Sequence, residues 1–352
     1  MDTLTHALSG ALLGRATARP GGGAGTLPLG RRMLVGFVAA AFPDIDFIVR
    51  ELSPLSYVYH HRGVTHSLLM LPIWATLLAW IFAALWRGKP GWRTYFGIAA
   101  LGIGAHIAGD LITSFGTMIF APVSDARYGI GTTFIIDLWF TGIILAGLLA
   151  SALWRRARVF AIGGLVALVA YVTFQWTLQQ RAIDFGESYA RANDLQSVRV
   201  SAQPRPVSPF NWTVFVDDGT GYRYSHVNLV RRTPRSEPTS ETGFVARLDA
   251  AYRPLDDAIW VRAGRYGNTE SDVAVAREAF EQPAFRFFRW FAQYPAVLRI
   301  DRGNPRECVW FQDLRFLTPG RPSIPFRYGM CRELGEAWQP FQLVGEQGIP
   351  VY

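Results

Sequence analysis

Charge is scarce in this chain. Of its 352 residues, 18% are Asp, Glu, Lys or Arg, against about 25% in ordinary soluble domains. Lysine is nearly absent, Lys89 standing alone, and cysteine occurs only at Cys308 and Cys331. The pattern of a secretory leader is also lacking in the mildly hydrophobic helix read over the first 14 residues, since Asp2 follows Met1 where a basic stretch would stand, and that helix is expected to be retained. What is abundant is apolar surface. Half of the residues are hydrophobic and 14% aromatic, which excludes low-complexity disorder. The long uncharged runs concentrate in residues 1 to 178, whereas 179 to 352 read as water-soluble, so a wholly soluble enzyme is excluded as well. The formal charge of +8 suggests nucleic acid only until it is divided. Residues 1 to 178 hold 13 basic and 7 acidic side chains, the remainder 22 and 20. The excess belongs to the short loops of the apolar half, and no nucleic-acid partner is expected.

A membrane-crossing helix needs about 20 mostly apolar residues. Ser67 to Trp86, Tyr95 to Ser114 and Thr133 to Trp154 meet that length, and Val159 to Leu178 follows closely. Met33 to Val49 is apolar enough but is interrupted at Phe42-Pro43-Asp44-Ile45-Asp46, where Pro43 lacks the N–H that would continue a helix. The expected fold class is an α-helical multi-pass membrane domain of five to six helices over residues 1–180, followed by a β-rich α+β soluble domain over 181–352. In that second half, Ser197 to Ala202, Trp212 to Val216, Tyr222 to Val230, Phe244 to Leu248 and Val309 to Phe316 read as strands, and residues 270 to 294 as a helical insertion.

Arginine fixes the expected orientation. Arg15, Arg19, Arg31 and Arg32 flank one loop, Arg87, Lys89 and Arg93 a second, and Arg155, Arg156 and Arg158 a third. These loops alternate along the chain, so all three can be cytoplasmic. A bacterial inner membrane with the loops at 50–66 and 115–132 and the C-terminal domain in the periplasm fits best. An oxidising periplasm favours a Cys308–Cys331 bridge, with two buried free thiols as the alternative.

Five of the six histidines precede residue 107. Asp2 and His6 are four apart, as are His106 and Asp110, so each pair shares a helix face. His60, His61 and His66 fall within seven residues. Under the Arg-derived topology, His6, Asp44, Asp46, the His60–His66 cluster, His106 and Asp110 all converge on the outer side of the membrane. An Asp at a helix centre in lipid costs about 2.5 to 3.5 kcal/mol, so Asp110 requires a partner. Imidazoles and carboxylates without thiolate suit a divalent metal, Zn²⁺ or Mn²⁺.

Met1-Asp2-Thr3-Leu4-Thr5-His6, Phe42-Pro43-Asp44-Ile45-Asp46, His60-His61-Arg62-Gly63-Val64-Thr65-His66-Ser67 and the run from Gly104 to Gly116 resemble the YdjM/YbcI-like family of inner-membrane metal-dependent hydrolases over roughly residues 1 to 180. A weaker likeness is to zinc-dependent phospholipase C and the P1-type nucleases. On that likeness His6, Asp44, His66, His106 and Asp110 are metal ligands, for one or two ions, because the later His-x-x-x-Glu of those trizinc enzymes has no counterpart after His106. The resemblance implies that Asp44 is a ligand or a bridge and that Asp46 is a general base or an orienting group. Asp2, Thr5 and Thr65 would steady the ligands, with Asp2 orienting an imidazole, and His60, His61 and Arg62 would be exposed enough to meet substrate. The implied substrate is a phosphoester or lipid-linked molecule entering from membrane lipid. Two rival readings remain: a structural metal with a partner-binding C-terminal domain, and an ion transporter. The inner halves of the spans offer almost no polar groups, which disfavours transport.

Overall fold

The computed structural model describes residues 1–18, 26–51, 53–87, 90–154, 157–239, 241–303, 305–321, 324–333 and 335–351. Of the loop residues used for topology, Arg19, Lys89, Arg155 and Arg156 lie outside the described residues. The chain divides into two compact units, Met1–Leu52 with Tyr59–Trp176, and Ser53–Val58 with Thr177–Tyr352.

The first unit is helical. Helix α1 (Thr3–Ala16) is capped by Asp2, and α2 (Leu29–Ala41) gives way at Phe42 to a 3-10 segment, Phe42–Glu51. This is the break expected at Pro43, since a proline nitrogen cannot bond back to the preceding turn. Then come the end of α3 (Pro54–His60), a 3-10 turn (Val64–His66), α4 (Leu71–Leu85), α5 (Arg93–Leu111), α6 (Leu138–Leu153) and the start of α7 (Ala157–Ala192).

Helices α1 and α2 touch backbone to backbone. A Cβ on Gly10 would lie 2.0 Å from the Gly36 carbonyl oxygen, and one on Gly36 would lie 2.2 Å from that of Gly10. Helix α5 closes on the same spot, where a Cβ at Gly102 would sit 2.9 Å from the Gly36 oxygen. Glycine is therefore required at this crossing, as at small-residue interfaces between membrane helices. Val35, Ala39, Ala75, Ala79, Ile98 and Ile103 fill the adjoining core. Large apolar side chains face outward instead: Ile73, Leu77, Trp80 and Ile81 on α4, Leu145, Leu149 and Leu153 on α6, Val159, Ile162, Val166 and Val169 on α7.

Among the described residues one helix, Arg158–Ala192, is long and apolar enough to cross a membrane by itself. Leu55–His66 and Leu71–Leu85 meet the same test together, bent by 77° at their break. The segments Ser67 to Trp86 and Thr133 to Trp154 yield helices of 15 and 16 residues, shorter than the expected spans. Their first residues are spent on turns and caps: Ser67 Oγ accepts from Leu69 N at 3.1 Å, and Asp137 Oδ1 caps Trp139 and Phe140, each at 2.9 Å. Conversely α7 continues past Leu178, the end of its expected span, through Ala192. Its 36 residues extend about 54 Å.

The second unit holds two antiparallel meanders. Strands β1 (Arg199–Pro204), β2 (Asn211–Asp217) and β3 (Gly221–Asn228) pair in order, and β4 (Val261–Gly264) adds to β3. Helix α8 (Phe244–Ala250) precedes β4; α9 (Glu270–Glu281) and α10 (Arg286–Phe291) follow it. Strands β5 (Pro295–Arg302), β6 (Arg306–Asp313), β7 (Tyr328–Glu333), β8 (Gln339–Val344) and β9 (Gln347–Pro350) form the second sheet. The described chain is thus helical in its first half and sheet-rich in its second. Phe244 to Leu248 corrects one expectation: it is a helix, not a strand. Its inward residues Leu248 and Asp249 are adjacent rather than alternating, and Asp249 accepts from Asn211 Nδ2 and pairs with Arg231 and Arg235, each at 2.7 Å. The expected strand to Phe316 stops at Asp313, which caps a 3-10 turn by accepting from Arg315 N at 3.0 Å. Cys308 and Cys331 are joined in a disulfide, directly opposite in the β6–β7 register.

His226 on β3 generates a pH dependence. Burial, reinforced by the nearby Arg205 guanidinium, pushes its pKa down to about 3, while its Nδ1 lies 2.8 Å from Thr213 Oγ1. The unfolded chain takes up this proton near pH 6.5, the folded chain only near 3, so acidification through that window favours unfolding, by up to about 1.4 kcal/mol per pH unit. Near-ultraviolet circular dichroism melts of the whole protein between pH 7 and pH 4 should show this loss, and His226→Gln should flatten it. An unchanged slope in the variant would remove His226 as its source.

Candidate metal centre

Four elements converge on one buried point. Helix α1 brings His6, the 3-10 segment after α2 brings Asp44 and Asp46, the turn after α3 brings His66, and α5 brings His106 and Asp110. The Gly10–Gly36–Gly102 crossing sets the separation of the three helices involved. The i, i+4 spacing on α5 places His106 Nε2 3.5 Å from Asp110 Oδ2.

Asp44, His66, His106 and Asp110 each offer one ligand atom, and these atoms all lie within 4.8 Å of one another. The two Nε2 atoms are 2.9 Å apart. His66 Nε2 is 3.6 Å from Asp44 Oδ1 and 3.2 Å from Asp110 Oδ2, and His106 Nε2 is 3.5 Å from Asp44 Oδ1. A tetrahedral ion with bonds of about 2.0–2.1 Å holds its ligand atoms about 3.3 Å apart, and separations of 2.9 to 3.6 Å bracket that edge.

The protonation pattern points the same way. His106 Nδ1 lies 2.6 Å from the Ala40 carbonyl oxygen, which can only accept, so Nδ1 carries the hydrogen. Ala40 is in the last turn of α2, where carbonyls lack helical partners. Thr65 donates its hydroxyl to Asp46 Oδ2 at 3.1 Å and therefore accepts from His66 Nδ1 at 2.9 Å. With both Nδ1 atoms donating, the two Nε2 atoms face each other 2.9 Å apart, a distance that requires a cation between them, either a proton or a metal ion. Asp110 Oδ2 faces the same place: it is fully buried, with no hydrogen-bond partner among the described residues, and lies 3.2 Å from His66 Nε2 and 3.5 Å from His106 Nε2. The four groups can hold a metal ion.

Every donor is itself held, as metal ligands usually are. Thr3 Oγ1 donates to Asp44 Oδ2 at 2.6 Å. Asp110 Oδ1 receives Arg62 Nη2 at 2.8 Å and His6 Nε2 at 3.1 Å, and contacts the Met1 amino nitrogen. Asp46 Oδ1 pairs with His61 Nδ1 at 2.8 Å, and its Oδ2 accepts from Arg62 N at 2.9 Å. Arg62 also donates to Thr113 Oγ1 at 2.8 Å and lies over the Phe115 ring. The centre thus sets three carboxylates against the Arg62 guanidinium and the Met1 amino group, which both meet Asp110 Oδ1, and the remaining negative charge can be offset by a further cation.

Several sequence expectations find a different place. His6 lies outside the group of four; its ring stacks on His106 at 3.6 Å and serves Asp110 Oδ1. His61 and Arg62 are not exposed but buried, at 5% and 4% of their surface, while His60 remains exposed at the end of α3. Arg62 is held inside by its positive φ of 58° and by the carboxylates at both of its ends. Asp2 does not orient an imidazole: its oxygens accept from Thr5 N at 3.0 Å and Thr5 Oγ1 at 2.7 Å, capping α1. Thr3, Thr113, the Ala40 carbonyl and Arg127, which donates to the His61 carbonyl at 3.1 Å, went unread. Thr3 stands three residues before His6 and Thr113 three after Asp110, the one signal that marked them; a backbone carbonyl leaves none.

Comparison with known proteins bears on the same half of the chain. Residues 1–182 match the family described as YdjM inner membrane protein. A relative from Bacillus subtilis (strain 168), described as uncharacterized protein YfhP, is 27% identical over 185 residues, covering 51% of this chain and 55% of its own length. The chain thus spans about half of that relative. No solved structure matches. With more than half of its length matched, and with the motifs that carry the resemblance assembled around one buried centre, the chain belongs to the YdjM inner membrane protein family.

Proposed function

We propose that this protein is a multi-pass membrane hydrolase that uses a divalent metal, zinc or manganese, on a phosphoester or lipid-linked substrate at the periplasmic face of a bacterial inner membrane. The observation that carries the reading is the pair of Nε2 atoms of His66 and His106, 2.9 Å apart with both Nδ1 atoms committed elsewhere. Asp44, His66, His106 and Asp110 hold the ion, which supplies Lewis acidity toward a phosphoryl oxygen or water. Arg62 and His6 keep Asp110 Oδ1 occupied so that Oδ2 faces the ion. His61, with its Nδ1–H on Asp46, has Nε2 as its basic nitrogen and is the group to accept or return a proton. Exposed His60 meets the substrate.

The apolar surroundings support an amphiphilic substrate. Leu4, Ile45, Phe47, Ile48, Val64 and Leu68, close in sequence to the donors, are all exposed. Aromatic residues support the membrane placement: Trp80, Trp86, Trp92 and Trp154 fall beside the Arg-bearing loops, exposed Trp139 falls at the other end of α6, and exposed Trp176 lies on α7 about 27 Å along the helix from Arg158. Tryptophan collects at membrane interfaces.

A second reading has its own support. Four protein donors fill a tetrahedron, as in structural zinc sites, whereas catalytic sites keep a position open. Two measurements separate the readings. Detergent-purified protein should carry about one equivalent of divalent metal, and His106→Ala or Asp110→Asn should each remove most of it; full retention in both would end the metal assignment. Metal-loaded protein should release phosphate or alcohol from a lipid phosphoester, and His61→Ala should lower the rate about 10²-fold or more with metal content unchanged. Bound metal without hydrolysis of any phosphoester tested would favour the structural role.

The orientation is tested by reporter fusions. Those after Arg19, Lys89 and Arg156 should report cytoplasm, and those after Tyr57, Ser124 and Gly186 periplasm. A cytoplasmic signal after Gly186 would reverse the placement.

A further inference from the structure

The C-terminal unit has a cleft of about 570 Å³ between the β2–β3 turn, β4 and the first turns of α9, lined among others by Thr220, Arg262, Tyr266, Asn268, Val273 and Arg277. Strand β4 is the last of its sheet, and among the described residues no further strand covers its outer edge. The turn beyond it folds tightly on itself: Gly267 has a φ of 97°, and a Cβ on Gly264 would lie 2.2 Å from the Gly267 carbonyl oxygen. That turn projects Tyr266 toward α9, where its ring meets Phe280 edge-on at 5.5 Å and carries the Arg277 guanidinium over its face at 5.1 Å.

The charges around this cleft are uneven. The neighbouring acids already have arginine partners: Asp217 pairs with Arg265 at 3.4 Å, Asp218 with Arg223 at 3.1 Å and Asp272 with Arg302 at 2.6 Å. Arg262 and Arg277 form no ion pair among the described residues, and Glu270 lies in the adjoining hollow along α9. Two guanidinium groups lining one cavity repel each other until an anion bridges them, and their planar forks match the paired oxygens of phosphate or carboxylate. Stacking on Tyr266 holds Arg277 ready. The cavity falls within the range of about 300–1,000 Å³ typical of small-molecule sites, larger than a bare ion needs.

We propose that this cleft binds an anionic ligand of sugar-phosphate size, its phosphate or carboxylate held by Arg262 and Arg277 and its body lying against Tyr266, Asn268 and Val273. The site shares no residue with the metal centre. The test uses the full chain in phosphatidylcholine nanodiscs, in a His106→Ala background so that the metal centre does not contribute. Titration with glucose 6-phosphate by calorimetry should saturate, and Arg262→Ala with Arg277→Ala should weaken binding about tenfold or more, with the circular dichroism of the sheet unit unchanged. A parallel arm offers phosphatidylglycerol vesicles: binding to these alone, lost in the double variant, assigns the same cleft to a lipid headgroup. No binding to either probe, or binding that the double variant leaves intact, overturns the proposal.

Discussion

The Asp110 carboxylate, held at one oxygen by Arg62 at 2.8 Å and His6 at 3.1 Å, is the group on which the helical unit depends. A buried carboxylate is tolerable only if its charge is met nearby, since leaving one unpaired costs several kcal/mol. Asp44 and Asp46 impose the same condition within the same small volume. Their demands explain why Arg62 is buried in a left-handed turn and why the imidazoles are locked by Ala40 and Thr65. They also explain why the arrangement can hold a cation: with Arg62 and the Met1 amino group both on Asp110 Oδ1, the Asp44 carboxylate and Asp110 Oδ2 are left beside the paired imidazoles of His66 and His106.

The helix packing serves that centre. Helices α1, α2 and α5 must approach at backbone contact for His6, the Asp44 segment that follows α2, and His106 with Asp110 to share one centre, and Gly10, Gly36 and Gly102 permit it. Small residues thus line the helix crossings, with Phe82, Tyr95, Ile98 and Ile103 filling the space between, while many other leucine, isoleucine and tryptophan side chains are turned outward. In water that distribution would be unfavourable, because an apolar outer surface of this extent gains nothing by exposure. In lipid it is the expected arrangement, as close packing rather than apolar burial drives association there. The outer face and the charged centre are therefore two sides of one adaptation to an apolar solvent.

The C-terminal unit follows aqueous rules. Its buried acids are paired, Asp313 with Arg315 at 2.9 Å and Asp249 with Arg231 and Arg235, each at 2.7 Å. Its sheets enclose large apolar side chains such as Trp212, Phe215 and Phe311. The Cys308–Cys331 bridge adds a covalent tie between neighbouring strands, chemistry that persists in oxidising compartments.

The residues by themselves determined the order of the helices, the break at Pro43, the sheet-rich second half and the His/Asp set of the centre, because periodicity, proline chemistry and the cost of an ionisable group in an apolar run are local properties. Tertiary structure decided the rest. It turned Phe244 to Leu248 into a helix, because Asp249 had to meet Asn211 and Arg231. It moved Arg62 from surface to interior, because only there could it answer Asp110. It assigned His6 to Asp110 rather than to the group of four, since which nitrogen faces which oxygen depends on helices brought together by glycines far apart in sequence. The Ala40 carbonyl shows the limit most plainly: its role follows from where α2 stops and α5 passes, and no side chain announces it.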